Sequence, residues 1–143
     1  MKKFYFSLDK VLSLRVFYEK QAEVALKKAV AERDEVLLRI EDIDSKVLET
    51  SALFAQDVDM GVLLWTETYV KGLKAKKLQL QTQLVKLEAK VKECLAKYHD
   101  ALKSRKVLDR LKDKRIEEWK DECSKEEMFA IDEVVSAKIR LES

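Results

Sequence analysis

The run from Val62 to Glu142 contains almost nothing that interrupts a helix. It has no proline and a single glycine, Gly72, and it is rich in Lys, Glu, Leu and Ala, which are strong helix formers. Apolar residues recur along it at alternating spacings of three and four. One seam consists of Leu73, Leu80, Leu87, Cys94, Ala101, Leu108, Arg115 and Glu122, and its companion of Val70, Lys77, Leu84, Val91, Tyr98, Arg105, Lys112 and Trp119. This pattern is typical of a helix that packs lengthwise against another helix, and it predicts an extended rod about 120 Å long.

The first third of the chain carries a similar pattern. Its seams are Leu8, Arg15, Ala22, Ala29, Val36, Ile43 and Thr50, and Leu12, Glu19, Leu26, Arg33, Ile40, Val47 and Phe54. The phase is lost between Thr50 and Gly61, where Asp57, Asp59 and Gly61 favour a turn. We therefore predict an all-α fold, a single antiparallel two-helix coiled-coil hairpin over residues 1–143. Helix 1 would span about residues 7–54, the turn about 55–61 and helix 2 about 62–140. The alternative is one unbroken helix that dimerises.

A turn centred near residue 57 also predicts the register of the hairpin. Paired residue numbers would then sum to 114, so that Leu8 would lie beside Lys106. The residues after about Arg110 would have no partner within the chain. The first turns of helix 1 carry more apolar surface than two seams can cover, and that excess predicts a contact with another protein.

Composition excludes several classes of function. The 29 Lys and Arg residues nearly balance the 27 Asp and Glu residues, and the signs alternate along the chain, so nucleic-acid binding is not expected. No apolar run is long enough to span a membrane, and Cys94 and Cys123 are expected to be free thiols in a reducing compartment. His99 is the only histidine, and the sequence lacks a glycine-rich phosphate loop and cysteines at metal-ligand spacing. We predict a protein that is not an enzyme, with no cofactor and no metal.

The start of the chain resembles the N-terminus of FliJ-type flagellar export proteins. The resemblance rests on Phe4-x-Phe6-x-Leu8-x-x-Val11-Leu12-x-Leu14-Arg15-x-x-x-Glu19-x-x-Ala22. A second stretch fits as well, consisting of Leu108-x-x-Leu111-x-x-x-Arg115, then Glu126-Glu127 and Ile131-Asp132-Glu133. Chain length, the absence of proline and the break near residue 57 agree with that family.

The resemblance implies a hairpin similar to the central stalk of a rotary ATPase and a role in type III export, flagellum biogenesis, motility and chemotaxis. It implies three partners: the hexameric export ATPase FliI, the export-gate membrane protein FlhA, and export chaperones. It also implies a cytoplasmic protein associated peripherally with the inner-membrane flagellar basal body, without lipid insertion.

The residues that the resemblance assigns fall into two sets. The predicted ATPase-binding set is Phe6, Leu8, Val11, Leu12, Leu14, Arg15, Trp119, Asp132 and Glu133. The predicted gate-binding set is Ile43, Lys46, Tyr69, Leu73 and Lys76. Two alternatives stay open: a stalk protein of a virulence type III secretion system, similar to the YscO kind, and a homo-oligomeric coiled-coil scaffold.

Overall fold

Two α-helices make up nearly all of the structure. The structure is a computed structural model that describes residues 2–53 and 59–142. Helix α1 spans Asp9–Leu53 and helix α2 spans Met60–Glu142. The described residues include no strand, and the two helices pack against each other, which confirms the predicted all-α helical hairpin. Most of the predicted turn, residues 55–61, lies outside the described residues, and Gly61 belongs to the first turn of α2.

Each helix begins with a defined backbone contact. The amide of Asp9 donates to the carbonyl of Phe6 (3.2 Å), which closes a turn before α1, and the amide of Leu12 donates to Leu8 (2.9 Å). The negative charge of Asp9 in the first turn suits the positive end of the helix dipole. In α2 the amide of Leu63 donates to the carbonyl of Asp59 (3.0 Å).

The contacts divide the chain into two units. Unit 1 comprises residues 1–19 and 100–143, and unit 2 comprises residues 20–99. In unit 1 the side chains of Phe6, Leu12 and Leu108 are buried together. The partly buried side chains that pack on this core are Phe4, Leu8, Val16 and Leu111. Burying a large apolar side chain stabilises a fold by about 1.5–3 kcal/mol, so this small core carries much of the stability of unit 1.

Unit 2 has its own apolar core. Val36, Ile43 and Leu80 are buried there. The flanking side chains are Ile40, Val47, Leu73, Leu84 and Leu87. The hydroxyls of the buried Thr50 and Thr66 each donate to the backbone carbonyl four residues earlier, at 2.7 and 2.6 Å, so their burial leaves no polar group unsatisfied.

The predicted seams are the buried faces of the helices. Every described residue of the two α1 seams is buried or half-buried. The α2 seams behave in the same way up to Lys112, but Arg115 and Glu122 are exposed, and Ile116 and Cys123 are half-buried in their place. The seam therefore advances by four residues from Lys112 to Ile116 where three would keep the heptad, which is the pattern of a stutter.

The predicted register was wrong by one heptad. In unit 1 the ammonium of Lys112 lies 3.4 Å from a carboxylate oxygen of Asp9. In unit 2, Lys77 and Asp44 lie 2.6 Å apart. These paired residue numbers sum to 121, seven more than the predicted 114. A heptad repeat presents nearly the same seam after a shift of seven residues, so apolar spacing alone could not separate the two registers.

The corrected register gives partners to residues that were predicted to have none. Leu111 packs on the core of unit 1, and Trp119 contacts the N-terminal residues. The prediction that partners are missing after Arg110 was therefore wrong for residues 111–123. Continuous exposure begins at Ser124 and extends to Glu142.

Candidate functional site

The predicted ATPase-binding residues all belong to unit 1, but they do not form one exposed surface. Phe6, Leu8 and Leu12 were assigned to the ATPase-binding set, but their side chains belong to the core of the hairpin. Phe6 and Leu12 are buried beside Leu108, and Leu8 packs against them. The corrected register brings α2 over these first residues, so their apolar surface is used within the chain.

Arg15 also serves the packing of the two helices. Its guanidinium donates to the backbone carbonyl of Ser104 at 2.9 Å. One helical turn later, Glu19 accepts a hydrogen bond from Arg105, which also donates to Asp109. The hydrogen bond to Glu19 is the main cause that raises the pKa of Arg105 above its ordinary value. The contacts of Arg15 with Ser104 and of Arg105 with Glu19 therefore join α1 to α2.

A different set of side chains forms the exposed apolar surface on α1. Val11, Leu14, Phe17 and Tyr18 are 40–53% exposed, and we refer to them as the N-terminal apolar face. Val11, Leu14 and Tyr18 are spaced by three and four residues, which places them on one side of the helix. The rings of Phe17 and Tyr18 lie 6.0 Å apart. The predicted site included Val11 and Leu14 but missed the two aromatic residues, although both lie outside the seam positions.

Trp119 holds the N-terminal segment, residues 2–8, against α2. Its indole ring meets the ring of Phe4 edge to face, with centroids 5.9 Å apart. Its N–H donates to the carbonyl oxygen of Lys2 at 3.1 Å. Trp119 is thus half-buried in an intramolecular contact.

The remaining two residues of this set lie on the last part of α2. We refer to residues 124–142 as the tail, and each of them is exposed. Asp132 and Glu133 therefore present their carboxylates at the surface. Met128, Phe129, Ile131, Val134 and Ile139 are apolar residues of the tail that are each more than 60% exposed. The tail is the most extensive uncovered apolar surface among the described residues of unit 1.

The predicted gate-binding residues all belong to unit 2. Two of them belong to its apolar core, and the other three lie at its surface. Ile43 is buried in the unit 2 core and Leu73 packs on it, so neither presents a free side chain. Lys46, Tyr69 and Lys76 are exposed. Tyr69 stacks face to face on the exposed Trp65, with centroids 5.3 Å apart and planes inclined by 4°. This aromatic pair was not predicted as part of the site.

Lys46 is the residue of this surface whose pKa is shifted. Its ammonium lies 3.2 Å from a carboxylate oxygen of Asp42, one turn earlier on α1. The hydrogen bond to Asp42, together with the attraction of that charge, raises the pKa of Lys46 above its ordinary value. Lys46 is therefore a firmly protonated surface cation at neutral pH.

In the part of the chain that the structure describes, neither unit holds a group of metal ligands or a helix suited to a membrane. Within residues 2–53 and 59–142, no three His, Cys, Asp or Glu side chains are grouped so that they could hold a metal ion. No described helix combines the length and apolar character that crossing a membrane requires.

Comparison with known protein families identifies the family of this chain. The family model described as "Flagellar FliJ protein" matches residues 4–142. This chain belongs to the FliJ family. Comparisons with curated proteins and with solved structures gave no significant match.

Membership of the FliJ family confirms the predicted resemblance and assigns a role related to flagellar export. The FliJ match includes both units, and every residue of the two predicted sets lies inside it.

Proposed function

We propose that this chain is a non-enzymatic component of the flagellar export apparatus that binds the export ATPase through unit 1. The observation that carries the proposal is the N-terminal apolar face. Phe6, Leu12 and Leu108 form the buried core of unit 1. The side chains of the N-terminal apolar face lie outside this core and are about half exposed to solvent. Contiguous apolar surface that a fold does not use for itself is typical of a protein-binding site.

The chemistry of this surface suits a protein partner. Aromatic residues such as Phe17 and Tyr18 supply much of the binding energy where they enter pockets of a partner. The acidic pair Asp132 and Glu133 on the exposed tail would add polar contacts at the edge of such an interface. Leu12 and Arg15 would contribute indirectly, because they hold α1 against α2 and so position the apolar face.

The proposed mechanism is a central stalk in the ATPase ring. An asymmetric helical protein inside a ring of six subunits contacts those subunits unequally. Such contacts favour some ring conformations over others, which promotes assembly and biases the hydrolytic cycle by differential binding. No catalytic residue, cofactor or metal on this chain is needed for that effect.

A second surface would connect the chain to the export gate. Its proposed residues are the exposed Lys46, Tyr69 and Lys76 of unit 2, together with Trp65, which stacks on Tyr69. Ile43 and Leu73 would support this surface from the core beneath it. Stacked aromatic rings beside a fixed cation favour an acidic, partly apolar peptide segment of the partner.

Export chaperones are the third proposed partner, and no described residue is assigned to them.

The proposed location is the cytoplasm, with peripheral attachment to the inner-membrane flagellar basal body through these protein contacts. The family match is to a flagellar model, which favours flagellar export over a virulence secretion system.

Reconstitution with the cognate export ATPase tests this proposal. We expect the purified chain to raise the ATPase rate and to promote ring assembly, measured by phosphate release and by light scattering. A helical, folded chain that changes neither quantity would contradict the proposed ATPase role.

A further inference from the structure

The tail carries a narrow apolar stripe that is separate from the seam of the hairpin. Met128, Ile131, Val135 and Ile139 follow one another at spacings of three and four residues, and all are exposed. At 100° per residue these four side chains fall within about 80° of the helix circumference. The seam position Cys123 and its heptad successor Ala130 lie roughly a third of a turn away. The stripe is therefore not a continuation of the face that packs on α1.

We propose that this stripe binds the same stripe of a second copy of this chain, with the two tails antiparallel. The sequence of the stripe is close to symmetric about residue 133. In an antiparallel pair with that centre, Ile131 lies opposite Val135 of the second copy, and Met128 lies within one residue of Ile139. The same contacts occur twice, which is the property of an isologous two-fold interface.

The charges beside the stripe favour this pairing. Glu127 and Lys138 lie on the same edge of the stripe, and reversal about residue 133 places each of them within one residue of the other in the second copy. Two Glu–Lys pairs then flank the apolar contact. A parallel, in-register pair would instead bring this edge against the opposite edge of the second copy, so that Glu127 and Lys138 would not meet each other.

Asp132 lies on the other edge of the stripe, and its negative charge disfavours the dimer. In the antiparallel pair it lies close to Asp132 of the second copy, since both are near the two-fold axis. The stripe extends only about 16 Å along the helix. An interface of this size falls in the weak, transient class, so the dimer is expected to form at high protein concentration only.

Sedimentation equilibrium of the full chain over a range from about 5 to 500 µM tests the proposal, because weak interfaces need high concentration. We expect a monomer–dimer equilibrium that Ile131→Ser weakens at least about tenfold, as for a residue at the centre of an interface. Phe129→Ser is the matched control, since Phe129 is as exposed as Ile131 (67% against 61%) but lies on the opposite side of the tail. Circular dichroism verifies that each variant keeps its helicity.

Charge reversal tests the antiparallel arrangement. We expect Glu127→Lys and Lys138→Glu each to weaken the dimer a few-fold, and the double reversal to restore it to within about twofold of the original, since like charges at a contact repel and opposite charges attract. Asp132→Asn should strengthen it. A chain that is monomeric throughout would overturn the proposal. Equal effects of Ile131→Ser and Phe129→Ser, or a double reversal that restores nothing, would overturn it too. The test needs only the purified chain and is independent of the proposed ATPase role.

Discussion

The indole N–H of Trp119 donates a hydrogen bond to the carbonyl oxygen of Lys2, 3.1 Å away. This bond joins the start of the chain to a residue near the end of the paired part of α2. It accompanies the edge-to-face contact between Trp119 and Phe4. The N-terminal segment is not helical, so its course is fixed by these two contacts together with the burial of Phe6 in the unit 1 core.

Replacement of Trp119 should loosen the N-terminal segment without unfolding the helices. Trp119→Phe removes the hydrogen bond but keeps a ring, and a hydrogen bond of this type contributes about 0.5–1.5 kcal/mol. We expect faster amide hydrogen exchange at Asp9, whose amide donates to the carbonyl of Phe6 in this segment, and unchanged exchange at residues 62–99. Trp65→Phe is the control, because Trp65 belongs to unit 2. Equal exchange at Asp9 in wild type and Trp119→Phe would contradict the role given to this bond.

Leu108 and its neighbour Val107 offer a matched test of the unit 1 core. Leu108 is 5% exposed and packs with Phe6 and Leu12, whereas Val107 is 61% exposed. We expect Leu108→Ala to lower the free energy of unfolding by about 2–5 kcal/mol, the range for a large-to-small core change. Val107→Ala should change it by less than about 0.5 kcal/mol. Urea unfolding followed by circular dichroism measures both, and similar values for the two would contradict the assigned core.

The register predicts a coupling between Asp44 and Lys77. Their charged atoms lie 2.6 Å apart across the two helices. We expect Asp44→Lys and Lys77→Asp each to destabilise the chain slightly, and the double reversal to recover most of the loss. The coupling energy of such an exposed pair is about 0.2–1 kcal/mol in a double-mutant cycle. A coupling energy of zero would favour a different register.

The pair of Lys46 and Asp42 predicts a particular titration. The folded-state pKa of Lys46 is raised, so the stabilisation that this pair gives is fully present below the unfolded pKa of about 10.4 and is lost as pH rises through the folded value. Heteronuclear NMR of the Lys46 side chain should show a pKa above the ordinary range. Asp42→Asn should return the pKa towards that range, because it removes the main cause of the shift. The same pKa in both proteins would contradict this assignment.

The helices and their buried faces could be predicted because the apolar repeat is a local property. Ala29, Val36 and Ile43 are spaced by seven residues in the sequence, and all three are buried in the structure. The register could not be predicted in this way, because it depends on the turn, where the sequence has few signals. The contact of Phe4 with Trp119 joins residues far apart in sequence, and no repeat indicates it.

The outcome for the predicted site residues likewise depended on contacts between residues that are far apart in sequence. An apolar residue near a helix start can be core or docking surface, and only the position of the opposite helix decides between them. Leu8 and Leu12 are used by the core, whereas Leu14 is left at the surface. Phe17 and Tyr18 could have been included, since both lie outside the seam and the seam alone already accounts for the hairpin.

Two double variants of α1, compared in the ATPase assay, test directly whether the N-terminal apolar face binds the ATPase. Val11→Asp with Leu14→Asp places charges on the N-terminal apolar face, and Leu38→Asp with Leu48→Asp places equal charges on exposed positions of unit 2. We expect the first variant to need at least about ten times more protein for half-maximal stimulation of the cognate export ATPase, as for the loss of central interface contacts. The second should behave as the wild type. Wild-type stimulation by a fully helical Val11→Asp, Leu14→Asp variant would contradict the proposal that this face binds the ATPase.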